Sequence, residues 1–349
     1  MGPKMMAVVK QKRAPGARLA EMDIPRLNPD DVLVKVKATA LCGTDLHIYE
    51  WNRWARNAAI KLPQVMGHEF SGEIVEVGKA VVDLKPGDNV AGETHIPCGK
   101  CYQCQNGQQH ICGNLTLYGV HTNGSFAEYT KIPAICARKI PSSIPFKIGA
   151  VLEPLGTALR TCLEVGVSGK HLAVIGCGPI GLFAVAVSRA MGAATIIATD
   201  VVPERLQLSK EIGADVSLNP METDLVEAVL NMTHGIGVDA VIEASGSVDA
   251  LNQGFGYLRK GGAVGLIGLP STPIKLNLGP NVIFKEARII GIHGRKMFAT
   301  WITMETMLAK ELLNIDPIIS HLKSLSQFEE AFDLIKTGKG CKVVLDPAL

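Results

Sequence analysis

The feature that most constrains the fold is Gly176-Cys-Gly-Pro-Ile-Gly181, a glycine-rich turn set between two apolar patterns. His171 to Gly176 has the length of a buried strand, and Ile180 to Met191 has the period of a helix. The alternation continues, with Thr195 to Asp200 as a strand and Pro203 to Ile212 as a helix. Val238 to Ala244 and Ala263 to Leu269 follow as strands, and Leu155 to Glu164 precedes the series as a helix. Strands that alternate with helices in this way build an α/β fold, a doubly wound parallel sheet covered on both faces.

The three glycines have separate physical reasons. The first allows a tight turn, the second lets the backbone approach a pyrophosphate, and the third lets the helix pack close to the sheet. The unpaired N–H groups of the helix then face the phosphates. Asp200 stands at the end of the next strand, where a carboxylate accepts the ribose hydroxyls of NAD and repels the 2′-phosphate of NADP. Arg205, one turn into the following helix, is the residue that would lean toward a phosphate. The position of Asp200 favours NAD.

The first third of the chain reads differently. Asp31 to Lys37 alternates apolar and polar residues, His68 to Gly78 is rich in strand formers, and Lys85-Pro-Gly-Asp88 signals a turn. These features predict a small β-rich domain. Beyond residue 296, Thr300 to Leu313 and Gln327 to Thr337 read as helices and Lys342 to Asp346 as a strand. With 349 residues, 47% hydrophobic and 19% charged, the chain is long enough for two buried cores. The formal net charge of +2, without blocks of like charge, argues against a nucleic-acid or anionic-membrane partner. The longest apolar run, Leu172 to Val187, is interrupted by three glycines and a proline and is too short to span a bilayer. The first residues lack a secretory pattern, so a cytoplasmic location is expected.

In a reducing compartment a tight cysteine cluster points to metal. Cys98, Cys101, Cys104 and Cys112 form a C-x2-C-x2-C-x7-C pattern. Four thiolates satisfy a tetrahedral zinc and leave no position open, so this site is expected to be structural. Four free thiols in a loop, or a ribbon reading nucleic acid, are the alternatives; Lys100 is the loop's one basic residue. A catalytic metal needs three protein ligands and a vacancy. The candidates are Cys42 in Cys-Gly-Thr-Asp-Leu-His47, the pair His68-Glu69, and Glu153. Cys136, Cys162, Cys177 and Cys341 read as small buried hydrophobes.

Taken in order, Cys42-Gly-Thr-Asp-Leu-His47, Gly67-His-Glu69, the four cysteines and Gly176-x-Gly-x-x-Gly181 resemble the zinc-dependent medium-chain alcohol dehydrogenases. The resemblance implies a GroES-like β-rich catalytic domain with a Rossmann domain inserted in it. Residues 1–155 would form the first, residues 156–295 the second, and residues 296–349 would return to the first. It implies one catalytic and one structural zinc per chain, NAD as cofactor, and an assembly of two or four copies. Cys42, His68 and Glu69 would be metal ligands, and Glu153 a ligand or relay group, with only one carboxylate bound at a time. Thr44 and His47 would carry the alcohol proton outward; a histidine's ordinary pKa near ~6.5 suits that work. Gly176, Gly178 and Gly181 would form the pyrophosphate turn, and Ile180, Asp200 and Arg205 would serve the adenosine half of NAD. Ile267, Gly268, Leu269, Ile292 and His293 would serve the nicotinamide half.

Finer features resemble the branch of the family that oxidises a hydroxy amino acid: Leu46-His-Ile-Tyr-Glu-Trp-Asn-Arg-Trp54, Gly92-Glu-Thr-His-Ile96 and Gly291-Ile-His-Gly-Arg-Lys-Met-Phe298. Thr94 stands where a glycine is usual, while His95 is kept as a candidate substrate residue. Trp51 and Arg53 are further candidates there. The expected reaction is oxidation of the C3 hydroxyl of L-threonine to 2-amino-3-oxobutanoate. A polyol or 2,3-butanediol dehydrogenase is the rival, and a non-catalytic NAD-binding relative a more distant one.

Overall fold

The alternating stretch at Asp31 is the backbone of the first unit, and the strands around it define its sheets. The computed structural model describes residues 2–270 and 272–349. By packing, the chain divides into Met1–Glu153 with Ile319–Leu349, and Pro154–Ile318. In the first unit, strands β1 (Lys4–Lys10), β2 (Arg18–Asp23), β3 (Asp31–Ala40), β4 (Gln64–Val65) and β5 (Glu69–Val77) come first. They are followed by β6 (Asn89–Gly92), β7 (His95–Ile96), β8 (Thr116–Leu117), β9 (Tyr129–Pro133) and β10 (Ala137–Lys139). β2, β1 and β4 make a small antiparallel sheet, and β3 pairs with both β5 and β9 in the larger one.

Two helices follow β3 closely: α1 (Gly43–Glu50) and α2 (Arg53–Asn57). The buried ammonium of Lys10 holds the end of α1. Its Nζ donates to Ala14 O (2.5 Å), Gly16 O (2.8 Å) and Tyr49 O (2.7 Å), beneath the rings of Tyr49 and Trp51. Trp51 itself packs in the apolar core with Ile48, Phe126, Phe328 and Phe332. Three more helices complete the run to the second unit: α3 (Tyr102–Gln105), α4 (Phe146–Gly149) and α5 (Leu152–Val165).

The second unit alternates as its pattern predicts. β11 (His171–Ile175), α6 (Pro179–Ala190), β12 (Thr195–Thr199), α7 (Pro203–Glu211) and β13 (Val216–Leu218) form its first half. α8 (Leu225–Met232), β14 (Val238–Glu243), α9 (Val248–Tyr257), β15 (Leu258–Leu266) and β16 (Arg288–Gly291) form its second. The six strands are parallel, in the order β13-β12-β11-β14-β15-β16. The order reverses between β11 and β14, and at such a switch point the strand ends leave a crevice for a ligand.

Helix α10 (Ala299–Ala309) is also part of the second unit, because Trp301, Met304 and Ile318 are buried there and the turn Asp316–Ile318 packs against α6. The return to the first unit therefore begins at Ile319, later than the residue 296 that the family resemblance implies. β17 (Ile319–Ser324), α11 (Phe328–Lys336) and β18 (Lys342–Asp346) then close the larger sheet, with Val344 opposite Ala40 and Leu345 opposite Thr39. Among the described residues no helix is long and apolar enough to cross a membrane.

Candidate functional site

The register of β3 against β5 assembles the first centre. Ala40 pairs with Glu69, so Cys42, two residues past Ala40, lies beside His68 and Glu69. Ligand atoms of Cys42, His68 and Glu69 all fall within 4.8 Å of one another. Gly67 turns the chain into this position with φ +91, and a Cβ there would meet the Phe126 ring at 2.2 Å. The glycine of Gly-His-Glu is thus required by packing as well as by conformation.

Two residues outside the predicted set complete the surroundings. Asp45 accepts the Cys42 N–H through Oδ2 (2.9 Å), while its Oδ1 lies 3.3 Å from His68 Nδ1. Asp45 faces Nδ1, so Nε2 is the ring nitrogen left for a metal. Lys342 donates to Glu69 Oε1 (2.7 Å) and Leu41 O (2.9 Å), and both ion-pair partners are buried. Burial disfavours a charged His68, yet Asp45 and Cys42 outweigh it and hold its pKa well above the ordinary value. Burial pushes Glu69 up to about 7, against the pull of Lys342. As metal ligands His68 would be neutral and Cys42 a thiolate, and the thiolate, Glu69 and Asp45 would then face the one ammonium of Lys342, a charge deficit that a divalent cation fills. Asp45 Oδ1 and His68 Nδ1, both buried, face each other at 3.3 Å without an aligned hydrogen bond. The residues fit a metal, and their sulfur, nitrogen and oxygen donors suit zinc. Glu153, in the first turn of α5, is close enough for its charge to raise the Glu69 carboxyl further.

Thr44 and His47 lie one turn apart on α1. Asn52 caps α2, accepting from Trp54 N (3.0 Å) and Ala55 N (3.3 Å), which turns its Nδ2 toward His47 Nδ1 at 2.7 Å. An amide donor at Nδ1 selects the tautomer with the proton on Nε2. His95 is buried, with Nδ1 2.8 Å from Glu93 Oε1. The departure at Thr94 has a visible contact: its hydroxyl donates to His68 O at 3.2 Å. Trp51 is committed to the core, and Arg53 is exposed on α2.

The four-cysteine lobe is a second centre in the same unit. All four sulfurs lie within 4.8 Å of one another, with Cys101 Sγ 3.5 Å from Cys104 Sγ and 3.7 Å from Cys112 Sγ. Ligands about 2.3 Å from a tetrahedral zinc would be roughly 3.8 Å apart, so the cluster fits. Backbone N–H groups of Cys98, Gly113 and Asn114 donate to these sulfurs. N–H donation, chiefly from the backbone at Lys100 and from Asn114, pulls the Cys98 thiol down to about 6. Burial pushes Cys104 up to about 12 where no cation offsets it.

In the second unit the glycine turn caps α6 at Gly178. A Cβ on Gly181 would meet Gly176 O at 1.8 Å, whereas one on Gly178 would meet nothing within 4 Å. The third glycine is closed by packing and the second opens onto free space. Gly176, Gly178, Asp200 and Arg205 line a cleft of about 640 Å³, with Ile180 half-buried in the first turn of α6. Ile267, Gly268, Leu269, Ile292 and His293 line a neighbouring cleft of about 370 Å³, and Ser247 borders both. Asp200 accepts from Cys177 N (2.7 Å) and Val202 N (2.9 Å), so it also fixes the glycine turn. Arg205 Nη1 lies 3.9 Å from Asp200. Glu243, absent from the sequence prediction, orders the opposite wall by accepting from Ser245 N, Ser245 Oγ and Gly246 N at 2.5–2.8 Å. Of the remaining cysteines, Cys136, Cys162 and Cys177 are buried, while Cys341 is only half-buried.

Comparison with known proteins gives the same division. Residues 28–142 match the alcohol dehydrogenase GroES-like domain and residues 179–310 the zinc-binding dehydrogenase family. An L-threonine 3-dehydrogenase of Pyrococcus abyssi (strain GE5 / Orsay) is 46% identical over 345 residues, covering 99% of each chain. Among solved structures, a zinc-binding dehydrogenase from Sinorhizobium meliloti 1021 bound to NADP is similar at TM-score 0.91 and 32% identity, over 99% of this chain and 100% of that one. The 2R,3R-butanediol dehydrogenase of Bacillus subtilis is similar at TM-score 0.89 and 28% identity, over 98% and 99%. With a GroES-like domain, a Rossmann sheet and these matches along its length, the chain belongs to the zinc-binding dehydrogenases with an alcohol dehydrogenase GroES-like domain.

Proposed function

We propose that this chain oxidises the C3 hydroxyl of L-threonine to 2-amino-3-oxobutanoate, with NAD as hydride acceptor and zinc as Lewis acid. The observation that carries the reading is the full-length similarity, at 46% identity, to a protein named L-threonine 3-dehydrogenase. Cys42, His68 and one carboxylate, Glu69 or Glu153, would hold the catalytic zinc, and Cys98, Cys101, Cys104 and Cys112 the structural one. When bound, zinc lowers the pKa of a hydroxyl by many units and NAD accepts the hydride that follows. The chain's own residues handle the proton. Thr44 takes it from the substrate hydroxyl and His47 passes it outward; the Asn52 contact at Nδ1 must yield when His47 takes it up. His95, held at Nδ1 by Glu93, turns Nε2 toward the substrate's polar groups. Asp200 accepts the adenosine ribose hydroxyls, and the cleft at Ile267 and Ile292 takes the nicotinamide.

The test is NADH formation with L-threonine, sorbitol, 2,3-butanediol and ethanol, alongside metal content. Turnover of threonine by protein holding two zincs per chain is expected. No threonine activity from such protein, with turnover of butanediol instead, would move the reading to the rival substrate.

We also propose a homotetramer in the cytoplasm. Strand β16 is an unpaired sheet edge, and Ile283, Phe284 and Ile289 near it are exposed. Such an edge suits pairing with a second copy, and two such pairs give four subunits. The nine cysteines are all free, as a reducing compartment would keep them. Light scattering on the purified protein tests the assembly: a monomer would overturn it.

A further inference from the structure

The sheet supports the nicotinamide-side cleft only as far as Ile292, whose N–H donates to Leu266 O at 2.9 Å. His293 also lines that cleft, yet from His293 to Lys296 the chain has left the strand. One stripe of α5 meets it there. Gly156, Arg160 and Glu164 are spaced four residues apart and so lie on one face of the helix. Arg160 Nη1 donates to His293 O at 2.8 Å and reaches Gly294 O at 3.5 Å. Lys296 Nζ pairs with Glu164 Oε1 at 2.7 Å. Between these two contacts, Arg295 runs flat against Gly156, where a Cβ would meet its Cδ at 2.7 Å. The Arg160 side chain is only 12% exposed, so the helix packs around most of its length.

We infer that Arg160 is a positioning residue for the nicotinamide half of the cofactor, acting through the backbone of His293 and Gly294. It touches no cofactor atom. One nitrogen, Nη1, serves both carbonyls, and the planar guanidinium fixes the directions of its N–H bonds where those of a lysine ammonium rotate. Glu164 and Gly156 hold the far side of the same segment. A ligand that fills only the adenosine cleft, which Asp200 borders, owes nothing to this clamp.

The inference rests on the reading that the Ile292 cleft takes the nicotinamide, and the experiment separates the two. Binding of NADH and of ADP-ribose to the full-length holoenzyme is measured by calorimetry for the wild type, Arg160→Ala, Arg160→Lys and Ile292→Ala. Arg160→Ala should bind NADH roughly tenfold more weakly, as expected for losing a charged hydrogen bond, with ADP-ribose within about twofold of wild type. Arg160→Lys should fall between the two, and it supplies the comparison if the alanine variant does not fold. Ile292→Ala should show the same selective loss. Equal weakening of both ligands in the Arg160 variants would overturn the inference, since that is what general damage to the unit produces. Unchanged NADH binding in those variants, beside a selective loss in Ile292→Ala, would also overturn it and leave the cleft reading intact. If Ile292→Ala shows no selectivity either, the cleft reading itself falls and takes the inference with it.

Discussion

Asp45 is the single residue whose replacement tests the metal centre most directly. It touches the Cys42 amide with one oxygen and faces His68 with the other, so it orients two candidate ligands without being one. Asp45→Asn keeps the shape and removes the charge that favours the His68–metal arrangement. Zinc affinity should fall about 10- to 100-fold, read by chelator competition, while the circular dichroism stays that of wild type. Cys42, His68 and Glu69 were legible in the sequence because sulfur, imidazole and carboxylate are the donors zinc takes. Asp45 was not, because an aspartate three residues into a helix reads as an ordinary cap. Lys10 was equally hidden, since nothing in Val-Val-Lys-Gln shows that the lysine points inward. Its burial pulls its pKa down to about 8 from an ordinary 10.5. Between those values the unfolded chain binds the proton more tightly than the folded one, so this group's contribution to stability rises with pH. From pH 7.5 to 9.5 that rise amounts to about 1–2 kcal/mol. Lys10→Met should lack it, as seen in denaturant unfolding at the two pH values; parallel profiles would show that Lys10 titrates normally.

At the scale of elements, the second unit was the more legible. Its central strands are buried on both faces and read as continuous apolar runs, so β11, α6, β12, α7 and β14 appear where the pattern places them. β13 and β16 did not register, because a three-residue strand and a four-residue strand at the sheet edges offer too little pattern. Helix α2 is another element too short to announce itself, yet its cap links fold to chemistry. Asn52 holds the first amides of α2 with its oxygen and faces His47 with its nitrogen. Asn52→Asp keeps the cap, since aspartate serves there as well as asparagine. It also places an acceptor against His47 Nδ1, which favours the protonated ring. The acidic limb of the kcat profile should move up by roughly half to one pH unit, with the melting temperature little changed. A profile that stays put would take His47 out of the proton path. The cysteine lobe makes a contrasting prediction. Cys104→Ser should speed amide exchange in residues 98–114 and leave the Asp200 cleft unchanged, because among the described residues the lobe's sulfurs bond only to each other and to local amides. Exchange that rises across the whole chain would show the lobe to be part of the global core.

For the molecule as a whole, the decisive contact joins residues 273 positions apart, Glu69 and Lys342. The strand at Lys342 to Asp346 was legible, and its return to the first unit followed from the family resemblance. That its first side chain would neutralise a metal-site carboxylate was not, because pairing across such a separation leaves no local trace. The contact makes closure of the chain and assembly of the site one event: β18 must dock on β3 before Glu69 has a counter-charge. Breaking a buried pair from one side costs about 3–5 kcal/mol, unless the group left behind can neutralise itself. Glu69 can, since its carboxyl is already raised to about 7 and losing Lys342 raises it further. In metal-free protein, Lys342→Met should therefore be destabilised more at pH 8, where Glu69 is pressed to ionise, than at pH 6, where it keeps its proton. Adding Glu69→Gln should recover most of the loss at pH 8 and little at pH 6. Urea unfolding of the wild type, the single variants and the double variant at both pH values measures this as a double-mutant cycle. A cycle that closes with no interaction energy at pH 8 would mean that the returning tail stabilises the first unit by strand pairing alone, and that the site's charge balance is set by the metal.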